Sequence, residues 1–537
     1  MYLSNSNSQS NSQSHSQSHS QSYSQFTTTE NGALSLTTTG SSRVNFFFKV
    51  LRGLTQDNLN KLFDEACNEN FDDGLKLMVH LRDARGGKGE REQFIRCINR
   101  LCETGNTDIV LGLMGWIPYY GRWKDLLQLI SIGGEVENKV YDMFAKMLLS
   151  DKQRYLENKS ISLCAKWAPS ENCEYDKKFK AAHKIAQKMG ITMKTYRREY
   201  LSVLRTYCNT TEVWMCSNKW DEIPYEKVAS RCMLQNRKVF MKHAPETFEK
   251  YLHSVNEGEK KINASQLFPH TICQEYINDA KINPEIDQTL ELQWKSLVNH
   301  VKSQLNSSLG KSLAICDVSG SMSGVPLQVC ISLGLLIAEL ADDPFKDQVL
   351  TFHENPQFVN VGIGTHSLRD KVKIMKAMPW GGSTNFQASF DLILDKCRKY
   401  NLSQSQIPET LYVFSDMQFN DATGENSCYG YSKRSPTNFE AIKAKYKQYG
   451  YVPPKIVFWN LRANTVDFPT SSNEHDVALV SGFSPVLLKL FMNGESLNPY
   501  NIMRTAIDDK RYEPISCENL RSQYNDDDNV NRIYYSK

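Results

Sequence analysis

Leu313-Ala-Ile-Cys-Asp-Val-Ser-Gly-Ser-Met322 is the stretch that decides how the chain is read. Its first four residues form a short apolar run suited to a buried strand. The run ends in an acid, Asp317, followed at alternate positions by the hydroxyls of Ser319 and Ser321. A turn containing Gly324 and Pro326 leads into residues 327–340, apolar enough for a helix packed on a sheet. Strand, loop and helix in that order build an open parallel α/β sheet, whose ligands bind outside the carboxyl ends of the strands. Asp317, Ser319 and Ser321 would line that edge, and hard oxygen ligands there suit Mg²⁺ or Mn²⁺.

Two later segments extend the set. Trp380-Gly-Gly-Ser-Thr-Asn385 is a glycine-rich loop presenting the hydroxyl of Thr384 just before an amphipathic helix (Phe386, Phe390, Ile393, Leu394). Leu411-Tyr-Val-Phe-Ser-Asp416 is a second apolar strand ending in an acid. A simpler reading stands beside the metal: Asp and Ser after a strand often only cap the first turn of the next helix. D-x-S-x-S, a Thr in a glycine-rich loop and a strand-terminal Asp, in that order, resemble the metal-ion-dependent adhesion site (MIDAS) of von Willebrand factor A domains over roughly residues 310–507. The resemblance implies that Ser319, Ser321 and Thr384 bind Mg²⁺ directly while Asp317 and Asp416 act largely through water. The last position would then take a carboxylate from a protein partner. A phosphatase of the D-x-D-x-T kind is disfavoured, since Ser319 replaces the second carboxylate.

With 537 residues and 40% hydrophobic content, the chain is long enough for three or four domains with real cores. Its net charge of +3 is small for that length, so any nucleic-acid footprint must be local. The 14 cysteines contain no C-x-x-C pair, and several sit at apolar positions (Cys102, Cys316, Cys330), as buried thiols of a reducing compartment do. No secretory leader is visible, and the apolar run near 331–338 is interrupted at Glu339, which argues against a membrane span. The expected location is intracellular and cytoplasmic.

Residues 1–42 are mostly Ser, Gln, Asn, Thr and His, too poor in apolar side chains to offset their ordering entropy, and read as disordered. Residues 43–307 change to helical periodicity. Thr55 looks like an N-cap; Leu59, Leu62, Phe63 and Ala66 share one face, and Phe94, Ile98, Leu101 and Cys102 share another. Many short helices without a fixed repeat predict an all-α, HEAT-like module. Within it, residues 177–205 carry nine Lys or Arg against one acid, Glu199. Lys184, Lys188, Arg197 and Arg198 are the candidate phosphate contacts of that run, although a charge run is usually only a solvated face.

The second candidate is His80-Leu-Arg-Asp-Ala-Arg-Gly-Gly-Lys-Gly-Glu-Arg-Glu92. It is not a P-loop, because Arg82 stands where that motif needs Gly and Gly89 where it needs Ser or Thr. Its glycines could still bring backbone N–H groups to a phosphate beside Arg82, Arg85, Lys88 and Arg91; equally, Gly86 could serve only as a C-cap. R-G-G-K-G-E-R, the Y-G-R-W-x-D-L of Tyr120–Leu126 and the A domain that follows resemble the two-module Ro (TROVE) family, closest to its giant-virus and plant relatives. That resemblance implies an RNA-binding helical ring.

The expected architecture is therefore multi-domain: a disordered segment (1–42), an all-α helical-repeat module (43–307), a doubly wound α/β von Willebrand factor A-like domain (308–507) and an acidic polar tail (508–537). The expected function is a non-enzymatic scaffold binding RNA through its helices and a protein carboxylate through Mg²⁺ or Mn²⁺. The alternative is a purely protein-binding adaptor. No Ser-His-Asp or Cys-His set, and no carboxylate pair placed for acid/base work, supports an enzyme.

Overall fold

A computed structural model describes residues 26–278, 285–305, 308–352, 355–362, 367–378, 385–419, 438–463, 467–491, 497–523, 533 and 535. Between Ser42 and Leu305 the elements of the described residues are all helices. The helix Gln56–Glu69 buries Leu59, Phe63 and Ala66, the face expected from their spacing, while Thr55 occupies the N-cap without a side-chain cap bond. Helix Arg91–Glu103 buries Phe94, Cys97, Ile98 and Leu101. The 23-residue helix Gly134–Leu156 buries Val136, Val140, Phe144, Met147 and Leu148. A smaller, separate core gathers Tyr225, Met233, Phe240, Phe248 and Tyr251 from the second half of this module.

The chain then turns to α/β. Strands β1 (Phe26–Thr28) and β2 (Leu34–Leu36) pair as an antiparallel ribbon near the start. The main sheet comprises β3 (Ser312–Asp317), β4 (Gln348–Phe352), β5 (Phe358–Asn360), β6 (Thr410–Ser415), β7 (Lys455–Asn460) and β8 (Val477–Ser481), in the order β5-β4-β3-β6-β7-β8. Every neighbouring pair is parallel except β4 and β5. All six residues of β3 are buried, as a central parallel strand covered on both faces requires. The apolar helix Val325–Leu340 packs on β3 and leads back to β4. This is the doubly wound α/β arrangement expected of a von Willebrand factor A-like domain. Its strand order reverses between β3 and β6, so the ligand crevice of such a sheet opens between their carboxyl ends.

Both ends of the chain depart from expectation. Residues 26–41, expected within the disordered segment, lie against the α/β half. Leu36 exchanges two backbone hydrogen bonds with Phe468 (2.9 and 2.8 Å), and the Thr29 hydroxyl donates to the Phe419 carbonyl (2.6 Å). The first 25 residues lie outside the described set. The expected acidic tail is, over 508–523, a strap folded onto the helical half. Helix Cys517–Gln523 packs on helix Thr107–Leu113, the Tyr120 hydroxyl donates to the Arg511 carbonyl (2.6 Å), and Arg521 pairs with Asp108 (2.7 Å). Basic and apolar residues placed between the acids supply those contacts; Asp526, Asp527 and Asp528 lie outside the described residues.

The two halves share one continuous hydrophobic core. Helix Ser42–Lys49 lies against β8 and helix Pro499–Ile507, and Asp73 pairs with both Arg43 and Arg504. Every described cysteine is a free thiol, and no described helix is long and apolar enough to cross a membrane.

Candidate functional site

Asp317 ends β3 and Asp416 directly follows β6, so the two acids flank the point where the strand order reverses. Both are buried. One Asp317 oxygen accepts from the Ser319 amide (2.9 Å) and the other from the Ser415 hydroxyl (2.6 Å). Burial, and then the charge of Asp416, push the Asp317 carboxyl up to about 6. The Ser319 and Ser321 hydroxyls are 2.9 Å apart, Ser319 buried and Ser321 exposed at the rim. Arg462 Nη1 donates to the Ser321 carbonyl (2.8 Å) and stands 3.8 Å from Asp416 Oδ2.

The capping alternative can now be judged. Helix Val325–Leu340 has Gly324 at its N-cap, and the short turn Gly320–Met322 has Ser319 there. Neither receives a side-chain cap bond. The Asp317 oxygens are spent on Ser319 and Ser415, and the two serine hydroxyls face each other. Two buried like charges beside paired hydroxyls form a donor set that a small hard dication would suit. Asp317, Asp416, Ser319 and Ser321 fit such an ion. Thr384, the fifth expected ligand, lies outside the described residues. No group of three or more His, Cys, Asp or Glu able to hold a metal occurs among the described residues, so hydroxyls would have to complete any site.

The R-G-G-K-G segment needs a correction. Arg82 is buried and gives both Nε (2.8 Å) and Nη2 (2.5 Å) to Asp125. Lys88 is fully buried, its ammonium donating to the Phe47 and Val50 carbonyls and to the Ser481 hydroxyl (2.7 Å) of β8. Neither cation can reach a phosphate outside the protein. The amides of Gly87, Lys88 and Glu90 are spent on the carbonyls of Asp83, His80 and Leu81, so these three are not offered to an anion. Arg85 is exposed but donates to the Tyr119 carbonyl (2.8 Å), and Arg91 is half-buried. The basic run 177–205 is opposed in space by acids distant in sequence. Lys184 pairs with Glu137 (2.5 Å), Lys188 with Asp142 (3.0 Å) and Arg197 with Glu171 (3.5 Å), while Arg198 is exposed.

Comparison with known proteins gives the chain a family. Residues 29–138, 134–193 and 188–306 match the model of a domain of unknown function, DUF2828. A protein of Acanthamoeba polyphaga mimivirus is 32% identical over 546 residues, covering 95% of this chain and 92% of the relative. This chain belongs to the DUF2828 family. Residues 311–530 of this DUF2828 protein match a second domain of unknown function, DUF7788, so the strap is matched together with the sheet. A giant-virus protein is among its relatives, as the Ro-like resemblance implied. The crystal structure of the Deinococcus radiodurans RO (RSR) protein is also similar, at 12% identity and a TM-score of 0.46, covering 88% of this chain and all of that one.

Several residues around these sites carried no signal in the sequence of the DUF2828 protein. Ser415 precedes a predicted ligand and reads as one more strand residue. Arg462 follows β7 at a strand end remote in sequence. Arg122 sits inside Y-G-R-W-x-D-L, and only the fold brings it within electrostatic reach of Arg91 and Arg231.

Proposed function

We propose that the protein is a non-enzymatic scaffold whose α/β half grips an acidic side chain of a protein partner through Mg²⁺ or Mn²⁺, and whose helical half binds RNA. The observation that carries the reading is the buried pair Asp317 and Asp416 at the strand-order reversal, with the Ser319 and Ser321 hydroxyls beside it. Ser319, Ser321 and Thr384 would hold the ion, with Asp317 and Asp416 supplying negative charge around it. When bound, the ion supplies a Lewis-acidic position for a partner carboxylate. The chain's own part is to fix the donors: Ser415 and the Ser319 amide hold the Asp317 carboxyl in one orientation, and Arg462 anchors the turn that carries Ser321.

Titration calorimetry of the full chain with Mg²⁺ and Mn²⁺ tests this half. Binding is expected in the wild type and absent in Asp317→Ala, with Ser321→Ala weaker. Wild-type affinity in Asp317→Ala would refute the site.

The RNA half is supported by exposed cations outside the neutralised run, among them Arg122, Arg231, Lys238 and Lys242. The pairing of Lys184, Lys188 and Arg197 with acids instead favours the second reading, an adaptor without RNA. Salt separates the two, since RNA affinity resting on phosphate contacts falls steeply with ionic strength.

A further inference from the structure

The ribbon β1–β2 lands beside the candidate metal site, on the residues that follow Asp416. The Glu30 amide donates to Gln418 Oε1 (2.7 Å), Asn31 Nδ2 donates to the Gln418 carbonyl (2.8 Å), and the Thr29 hydroxyl donates to the Phe419 carbonyl (2.6 Å). The same hydroxyl accepts from the Ala33 amide (2.9 Å), which closes the turn between the two strands. Gln418 is buried, and its Nε2 donates to Asp467 Oδ1 (3.2 Å). Asp467 precedes Phe468, whose backbone is bonded to Leu36 of β2. The ribbon therefore holds the Gln418 side chain at both ends, directly at Oε1 and by way of Phe468 and Asp467 at Nε2.

Gln418 is in turn bonded to the site itself. Its amide donates to Asp416 Oδ1 (3.2 Å). Met417, between the two, is buried at φ 68°, a left-handed conformation that a non-glycine residue keeps only where its surroundings enforce it. The Met417 amide donates to the Ser415 hydroxyl (3.0 Å), the group that also donates to Asp317. The turn over residues 415–418 thus joins both buried acids to the ribbon. Apolar cover is a separate part of the contact: Ala33 and Leu34 line one small cavity with Phe386, Phe419 and Phe458. Covering those rings requires none of the bonds to Gln418.

We propose that the ribbon β1–β2 is a clamp on the metal site: docked on Gln418, it keeps Met417 left-handed and the Asp416 carboxyl in one orientation. Gln418, Thr29 and Asn31 are then positioning residues, acting on the ion only through Asp416. This rests on the metal half of the reading above. Groups that orient a metal's ligands typically contribute about 10–100-fold to its affinity. The coupling is reciprocal, so an ion bound at the site tightens the ribbon by the same factor as the ribbon tightens the ion.

The test uses the full chain and Mn²⁺, with the free ion counted by its electron paramagnetic resonance signal. Gln418→Ala, and Thr29→Ala combined with Asn31→Ala, should each bind Mn²⁺ about tenfold more weakly than wild type. Thr29→Ser keeps the hydroxyl and should bind like wild type. In the wild type, hydrogen exchange of the segment 26–36, followed by mass spectrometry, should slow by about tenfold on saturation with Mg²⁺, and Asp317→Ala should abolish that protection. The exchange measurement uses the unaltered chain and decides even where a substitution unfolds it. Wild-type Mn²⁺ affinity in both ribbon-contact variants, whatever their melting temperatures, would make the ribbon apolar cover only. That result, or exchange indifferent to Mg²⁺ in a wild type that binds Mn²⁺, overturns the clamp and leaves the metal reading standing. Absence of Mn²⁺ and Mg²⁺ binding in the wild type overturns both.

Discussion

Lys88 illustrates how burial changes the meaning of a residue. On paper it is the cation of a glycine-rich turn; in the fold it joins the helical half to β8 through two carbonyls and the Ser481 hydroxyl. Burial lowers its ammonium to about 7, partly opposed by the charge of Glu90, and Lys49 is lowered to about 7 in the same way with Asp467 opposing. A lysine depressed in the folded state contributes stability that is present above its unfolded value and lost as pH falls through the folded one. Stability should therefore rise with pH between about 7 and 10.5. Lys88→Met should cost about 1–3 kcal/mol by leaving buried acceptors unpaired, and should reduce that pH slope. Urea melts at pH 7 and pH 9 check both, and an unchanged slope would mean that Lys88 titrates normally. Gly87 sets a second constraint: a Cβ there would lie 2.0 Å from the His80 carbonyl oxygen, so its glycine is required by close backbone approach.

The strap 508–523 is the element whose role was least visible in advance. Asp83 is fully buried and accepts from Arg511 and from the Tyr512 hydroxyl (2.9 Å), both strap residues, as well as from the Arg85 amide (3.0 Å). Burial works against its charge, yet Arg511, the Arg85 amide and Tyr512 hold its carboxyl below the usual range. That stabilisation is present above the unfolded carboxylate value and lost as pH falls through the folded one. Removing only the cation strands a buried charge, so Arg511→Met should cost about 3–5 kcal/mol, and Asp83→Asn in the same chain should recover part of it. Thermal melts of the single and double variants decide the matter: no recovery would assign the loss to the contacts of the Arg511 guanidinium with the Tyr119 and Tyr120 rings.

For the molecule as a whole, the two halves should unfold together. The core is continuous across them, and the Arg43–Asp73–Arg504 cluster, Lys88, the ribbon β1–β2 and the strap all tie the α/β half to chain that precedes or follows it. Shared burial of this kind makes opening one half expose the apolar face of the other. Calorimetry should give one main transition coincident with loss of tryptophan fluorescence; two well-separated transitions would mean that the halves are thermodynamically independent. The smaller core around Tyr225 and Phe240 is the place for an earlier partial opening.

Periodicity alone was enough to reveal the helices of 43–307, and strand-terminal acids after apolar runs marked the sheet edge, because both patterns follow from which side chains a local element must bury. Asp317, Ser319, Ser321 and Asp416 were legible for the same reason: each lies within a few residues of a strand end. Which charges remain available could not be read that way. Glu137 and Asp142 lie some 47 residues from the lysines they neutralise, Asp125 is 43 residues from Arg82, and Asp83 is 428 from Arg511. Ion pairing and burial depend on distances in space that only long-range packing sets. Tertiary structure therefore decided that Lys184 is a paired surface cation and that Lys88 is a core residue.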